Sequence, residues 1–115
     1  MRNTKIKLEI NIGQKVISAE IKALSLLKKS ISRDFSKAID VLYKTKGKII
    51  ISGLGKSGHI ASKISSTFSS IGSPSVFLHP TEANHGDLGM IKKGDSTILI
   101  SNSGETSELT NIILH

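Results

Sequence analysis

Lys48-Ile49-Ile50-Ile51-Ser52, followed at once by Gly53-Leu54-Gly55-Lys56-Ser57-Gly58-His59, decides how this chain folds. Three consecutive β-branched residues with no polar alternation mark a strand covered on both faces, as in a parallel sheet. The glycine cluster ends that strand. Beyond it Ile60, Ile64, Phe68 and Ile71 recur at helical spacing, with Ala61, Ser65 and Ser69 small enough to let the helix lie close to a sheet. Strand, glycine turn and helix form the opening half of a β-α-β unit.

Downstream, Gly72-Ser73-Pro74 breaks the helix, Ser75 to Leu78 supplies a second strand and Ser96 to Ile100 a third. A last helix is expected to begin near Glu105 or Thr106 and to bury Leu109, Ile112 and Ile113. Upstream, Gly47 closes a helix that Ser32 can cap and that carries Phe35, Ala38, Ile39, Leu42 and Tyr43 on one stripe. Before it, Val16, Ile17, Ile21, Leu24, Leu27 and Ile31 predict an amphipathic helix over Gln14 to Ile31. Residues 1–12 alternate Ile6, Leu8, Ile10 and Ile12 with polar residues, which fits a short strand or a frayed lead-in. The chain thus divides into a lead-in (1–12), two N-terminal helices (13–47) and an α/β part (48–115). The fold class is a three-layer α/β arrangement around a parallel sheet, flavodoxin-like.

A length of 115 residues allows one domain with a modest core, and four aromatic residues leave packing to Ile, Leu, Val and Ala. The net charge of +7 invites a nucleic-acid partner, but its distribution argues otherwise. Residues 1–48 hold 12 of the 16 Lys and Arg and carry +8, whereas residues 49–115 carry −1. The excess therefore sits on solvated helix faces away from the motifs, and stacking aromatics are scarce. Absence of cysteine excludes a disulfide framework and thiolate zinc sites. No run is long and apolar enough to span a membrane, and the N-terminus lacks a signal-peptide core, so the expected compartment is the cytoplasm.

Three loops follow the three strands. Gly53-x-Gly55-x-x-Gly58 meets the minimal dinucleotide fingerprint, yet His79-Pro80 stands where the ribose-binding acid belongs. A P-loop would need glycine at Ile50. The remaining readings are a tight anion-binding turn, with Lys56 and Ser57 at a helix N-terminus, and a glycine turn that binds nothing. Ser101-Asn102-Ser103-Gly104-Glu105-Thr106 is a hydroxyl cluster at another strand end. Two such nests on adjacent strands suit a phosphate monoester that must be released after each turnover, since neutral donors hold it less tightly than an arginine clamp.

Gly-Lys-Ser-Gly-His-Ile (55–60), His-Pro-x-Glu-Ala-x-His-Gly-Asp-Leu-Gly-Met (79–90) and Ser-Asn-Ser-Gly-Glu (101–105) together resemble the sugar isomerase (SIS) domain of the arabinose 5-phosphate isomerase family. That family includes the capsule-expression proteins of the KpsF type. The resemblance implies interconversion of D-ribulose 5-phosphate and D-arabinose 5-phosphate for the synthesis of Kdo in lipopolysaccharide or capsule. It implies a proton moved between C1 and C2 through an enediolate, with no redox cofactor. By the same resemblance Lys56 and Glu108 are the catalytic matches, with Glu105 a rival carboxylate. Gly72, Ser73, His79 and His85 match substrate-contacting positions, and His79 is also linked to zinc. Ser57, Ser101, Ser103 and Thr106 make the phosphate-binding set. Two histidines six apart can share zinc or can hydrogen-bond the sugar, and no third ligand is evident.

The family's sheet has five strands, often followed by paired CBS modules, whereas this chain supplies three strands and no CBS module. The family's further catalytic glutamate and histidine have no counterpart, so the site is expected to be truncated. The outer edge of the third strand, Thr97 to Ser101, would then be free to pair, which predicts a homo-oligomer or a separate chain that completes the domain. A non-catalytic phosphosugar-binding or regulatory module is the alternative function.

Overall fold

The computed structural model describes residues 1–104 and 107–114, without the side chains of Glu108 and Asn111. Its contacts divide the chain into two units, Met1–Ile39 and Asp40–His115.

The first unit is dominated by α1 (Arg2–Ser30), an unbroken helix of 29 residues, about 44 Å long. Residues 6–12 are therefore helical rather than a strand or lead-in. Ile6 and Ile10, like Leu8 and Ile12, are four apart, so an every-second-residue pattern also satisfies helical i, i+4 contacts. Gly13 does not interrupt the helix. Lys28 and Lys29 stand in its last turn, where cations complement the helix dipole. None of its residues is buried.

α2 (Arg33–Tyr43) spans the boundary between the units. The Asp34 N–H donates to Ser32 Oγ at 3.3 Å, the expected N-terminal cap. It ends at Tyr43, four residues before Gly47.

The second unit is a parallel sheet of β1 (Ile49–Gly53), β2 (Ser75–Phe77) and β3 (Ser96–Ile100), in the order β2-β1-β3. Ile50 faces Val76 on one side and Thr97 on the other. β1 is buried along its whole length, as its isoleucine run requires. Ser52, its one buried hydroxyl, donates to the Leu78 carbonyl and ties the central strand to the end of β2.

α3 (Lys56–Ser70) covers one face, where Ile49, Ile51 and Ala61 form a core with Ile64 and Phe68 at its border. The buried stripe of α3 is Gly58, Ala61 and Ser65, whereas Ile60 and Ile71 are exposed at 52% and 71%. Close approach of helix to sheet selects the small residues for the interface and rotates the larger isoleucines outward. α4 (Pro80–Asn84) and α5 (Thr110–Leu114) serve the opposite face, where Ile50, Leu78, Ala83, Leu109 and Ile112 pack together. Ile113, expected inside, is 69% exposed. The result is three layers, as the sequence predicts. No described helix is long and apolar enough to cross a membrane.

Candidate functional site at the carboxyl ends of the strands

All three strands run parallel, so the loops after β1, β2 and β3 emerge at one edge of the sheet. The chain crosses from β1 outward to β2 and then back past β1 to β3. The connections thus leave β1 in opposite directions, and a crevice opens between the carboxyl ends of β1 and β3, the usual ligand position in open α/β sheets. Gly55 to Ser57 follow one of these strands and Ser101 to Gly104 the other.

The glycine turn is built by three different constraints. Gly55 has φ +60°, a left-handed conformation that glycine adopts at little cost, and it caps α3. Gly53 and Gly58 pack against each other's backbone: a Cβ on Gly58 would lie 2.7 Å from the Gly53 carbonyl oxygen. Two of the three glycines therefore answer to helix-strand packing. What remains for a ligand is the N-terminus of α3, which no side chain caps, with Lys56 exposed and Ser57 half-buried upon it. Uncapped N–H groups and the helix dipole favour an anion there.

Across the crevice, the Gly104 N–H donates to Ser101 Oγ at 3.0 Å in a tight turn, with Gly104 at φ +72°. One backbone donor of the expected nest is thus turned inward to shape the loop. Ser103 is exposed. Thr106 lies outside the described residues, as does the Glu108 side chain. The backbone of Glu108 belongs to a single 3₁₀ turn, Ser107–Leu109, directly before α5.

His79 follows β2 and caps α4: its Nδ1 accepts the Thr81 N–H at 3.1 Å, and Phe77 meets its ring edge-on at 6.2 Å. In the neutral imidazole this arrangement leaves the proton, and so the donor, on Nε2. His85 ends α4 and is exposed. Among the described residues no three His, Cys, Asp or Glu side chains cluster closely enough to hold a metal ion. The described residues therefore offer His79 no pair of further ligands with which to hold zinc.

Gly72 and Ser73 do not join this edge. They precede β2, where Ile49 N–H donates to the Pro74 carbonyl, so they lie at the amino ends of the strands. Four residue rises along β1 put them about 13 Å or more from the glycine turn. With Leu42, Tyr43, Thr45, Gly47, Ile49 and Pro74 they border a separate cavity of about 290 Å³.

Sequence reasoning passed over His59. It stands one turn into α3 and, with Gly55, Gly58, Ser62, Phe77 and His79, lines a cleft of about 260 Å³ between α3 and the end of β2. The signal was present in the spacing, since residues 55, 58, 59 and 62 fall on one side of a helix.

The SIS domain family model matches residues 41–115. The chain belongs to the SIS domain family. An uncharacterised Rickettsia prowazekii protein is 54% identical over 102 residues, which are 89% of this chain and 32% of that protein. The arabinose 5-phosphate isomerase KdsD of Escherichia coli K12 is 48% identical over 101 residues, 88% of this SIS chain and 31% of the isomerase. The chain thus spans about a third of the length of these relatives. A solved structure of an Escherichia coli CFT073 protein in complex with arabinose 5-phosphate superposes with a TM-score of 0.85 at 46% identity, over 96% of this chain and 57% of that one. The SIS assignment and the three-strand parallel α/β architecture therefore agree.

Proposed function

We propose that this chain binds a pentose phosphate and serves aldose-ketose isomerisation of the D-arabinose 5-phosphate/D-ribulose 5-phosphate type. The observation that carries the reading is the pairing of two loops across the crevice between β1 and β3. One offers an uncapped helix N-terminus with Lys56 and Ser57, and the other offers Ser101 and Ser103. Relatives named arabinose 5-phosphate isomerase support the substrate class.

Isomerisation needs a base to carry a proton between C1 and C2 and a positive group facing the enediolate oxygen. In this reading Glu108 is the base and Lys56 supplies the charge, while Ser57, Ser101, Ser103 and Thr106 bind phosphate. His79 donates Nε2–H to a sugar hydroxyl, and His85, at the other end of α4, is a further sugar contact. The reaction transfers only protons and needs no redox cofactor. Its setting would be cytoplasmic supply of pentose phosphate toward Kdo for lipopolysaccharide or capsule.

Gly72 and Ser73 favour a second reading of this chain alone. Both are matched to substrate contacts yet lie at the opposite end of the sheet, so one copy does not bring the whole matched set around one ligand. A lone copy would then bind phosphosugar without turning it over, and a second copy or a completing chain would supply the rest.

A coupled assay of the purified chain with D-ribulose 5-phosphate decides. Turnover that disappears in Lys56→Ala supports isomerisation. Saturable binding without turnover supports the binding module, and neither binding nor turnover refutes both.

A further inference from the structure

The cleft between α3 and the end of β2 holds two imidazoles and a hydroxyl from different elements. His59 and Ser62 come from α3 three residues apart, and His79 comes from the loop after β2. Phe77 forms its apolar floor, and the edge-on contact with His79 orients that ring. Because the Thr81 N–H holds Nδ1, the donor end of His79 is Nε2. His59 is exposed, and its backbone N–H is spent in the first helical bond to the Gly55 carbonyl at 3.2 Å, so only its imidazole is placed for recognition.

This cleft lies on the same edge of the sheet as the β1-β3 crevice, displaced toward β2. The ends of β2 and β3 are two strand spacings apart, roughly 9–10 Å, with the glycine turn between them. That separation suits an extended five-carbon phosphate monoester with its phosphate near Ser101 and Ser103 and its hydroxylated carbons toward β2. Polar side chains around an apolar floor are the composition that reads sugar hydroxyls.

We propose that His59 is a substrate-contacting residue that, with Ser62 and His79, hydrogen-bonds the hydroxylated carbon chain and selects among sugar phosphates. The proposal rests on the sugar-phosphate reading above and adds to it the residue that distinguishes sugar from bare phosphate. Binding energy from His59 would appear only for ligands long enough to reach the cleft.

The test is calorimetric titration of the full chain, as wild type, His59→Ala and His59→Gln, with D-arabinose 5-phosphate, D-ribulose 5-phosphate and inorganic phosphate, with circular dichroism to check folding. The expected result is about tenfold weaker binding of the pentose phosphates in His59→Ala, partial recovery in His59→Gln, and unchanged affinity for inorganic phosphate. Wild-type and His59→Ala chains that bind pentose phosphate equally would overturn the inference alone. Equal weakening for inorganic phosphate would assign His59 to the phosphate nest and overturn it too. A wild type that binds none of the sugar phosphates would overturn the underlying reading and the inference with it.

Discussion

Lys48 and Asp95 fasten the amino ends of β1 and β3 together. Lys48 Nζ donates to Asp95 Oδ2 at 2.7 Å and to the Met90 carbonyl at 2.7 Å, while the Lys48 N–H donates to Asp95 Oδ1 at 2.9 Å. The Lys92 N–H adds a further bond to Oδ2 at 2.8 Å. A carboxylate with three donors on its two oxygens is strongly favoured in its ionised form.

The first prediction concerns pH. The Lys48 ammonium, followed by the Lys92 and Lys48 N–H groups, holds the Asp95 carboxyl down from 3.8 to about 2. The folded value lies below the unfolded one, so the stabilisation is complete above about pH 5 and drains away as pH falls toward about 1. Asp95→Asn should therefore melt below wild type at pH 7, and the gap should narrow steadily from about pH 5 down to pH 2. Thermal melts followed by circular dichroism across that range check it; a constant gap down to pH 2 would contradict the assignment.

Gly47 belongs to the same fastening. Its N–H donates to the Gly94 carbonyl at 2.9 Å, and a Cβ at this position would fall 2.1 Å from Asp95 Oδ1, an oxygen already tied to the Lys48 N–H. Gly47→Ala should cost about 1–3 kcal/mol, measured by urea denaturation. In the Asp95→Ala background the obstructing carboxylate is gone, so the same substitution should cost markedly less. Simple additivity of the two changes would disprove the clash.

The glycines of the first loop should separate into two classes. Gly58→Ala drives a Cβ to 2.7 Å from the Gly53 carbonyl oxygen, a backbone atom that cannot move aside, and should loosen α3 from β1 by about 1–3 kcal/mol or more. Gly55→Ala meets no atom within 4 Å and suffers only its backbone, φ +60° with ψ −127°, about 1–3 kcal/mol, so Gly55→Asn, which tolerates positive φ better, should recover part of that loss whereas Gly58→Asn should not. An equal response to asparagine at the two positions in urea melts would mean that the packing between Gly53 and Gly58 is not the governing contact.

What the sequence revealed, and what it hid, follows from how strongly packing constrains each segment. β1 was legible because a run of isoleucine has one low-energy fate in a buried sheet. The first twelve residues were ambiguous because nothing buries α1 and fixes its periodicity. The stripe of α3 was read from its largest apolar residues, whereas close approach to the sheet placed Gly58, Ala61 and Ser65 inward and left Ile60 and Ile71 outside. The shared edge of Lys56, His79 and Ser101 followed from strand order. The distance of Gly72 and Ser73 from that edge was equally implied by their position before β2, but a match of motifs carries no direction along the sheet. His59 escaped because His79, which lines the same β2-α3 cleft, is 20 residues away in the chain.

The final prediction tests whether the two ends of the sheet cooperate across copies of this chain. Within one copy, Ser73 and Lys56 lie at opposite ends of β1 and do not contact one five-carbon ligand together. A head-to-tail or closed assembly in which the amino end of one sheet faces the carboxyl end of another would bring them together. β3 has an outer edge with no neighbour among the described strands, and α1 exposes apolar residues such as Ile10, Ile17 and Leu24, so association has surfaces to draw on. Size-exclusion chromatography with light scattering should therefore give a dimer or larger species. Lys56→Ala and Ser73→Trp should each weaken D-arabinose 5-phosphate binding alone. An equimolar, reassembled mixture of the two should recover about a quarter of the wild-type sites, since random pairing makes half the dimers mixed and each mixed dimer holds one intact site. A monomer that binds with full stoichiometry, or a mixture no better than its components, would show that Ser73 takes no part in the site.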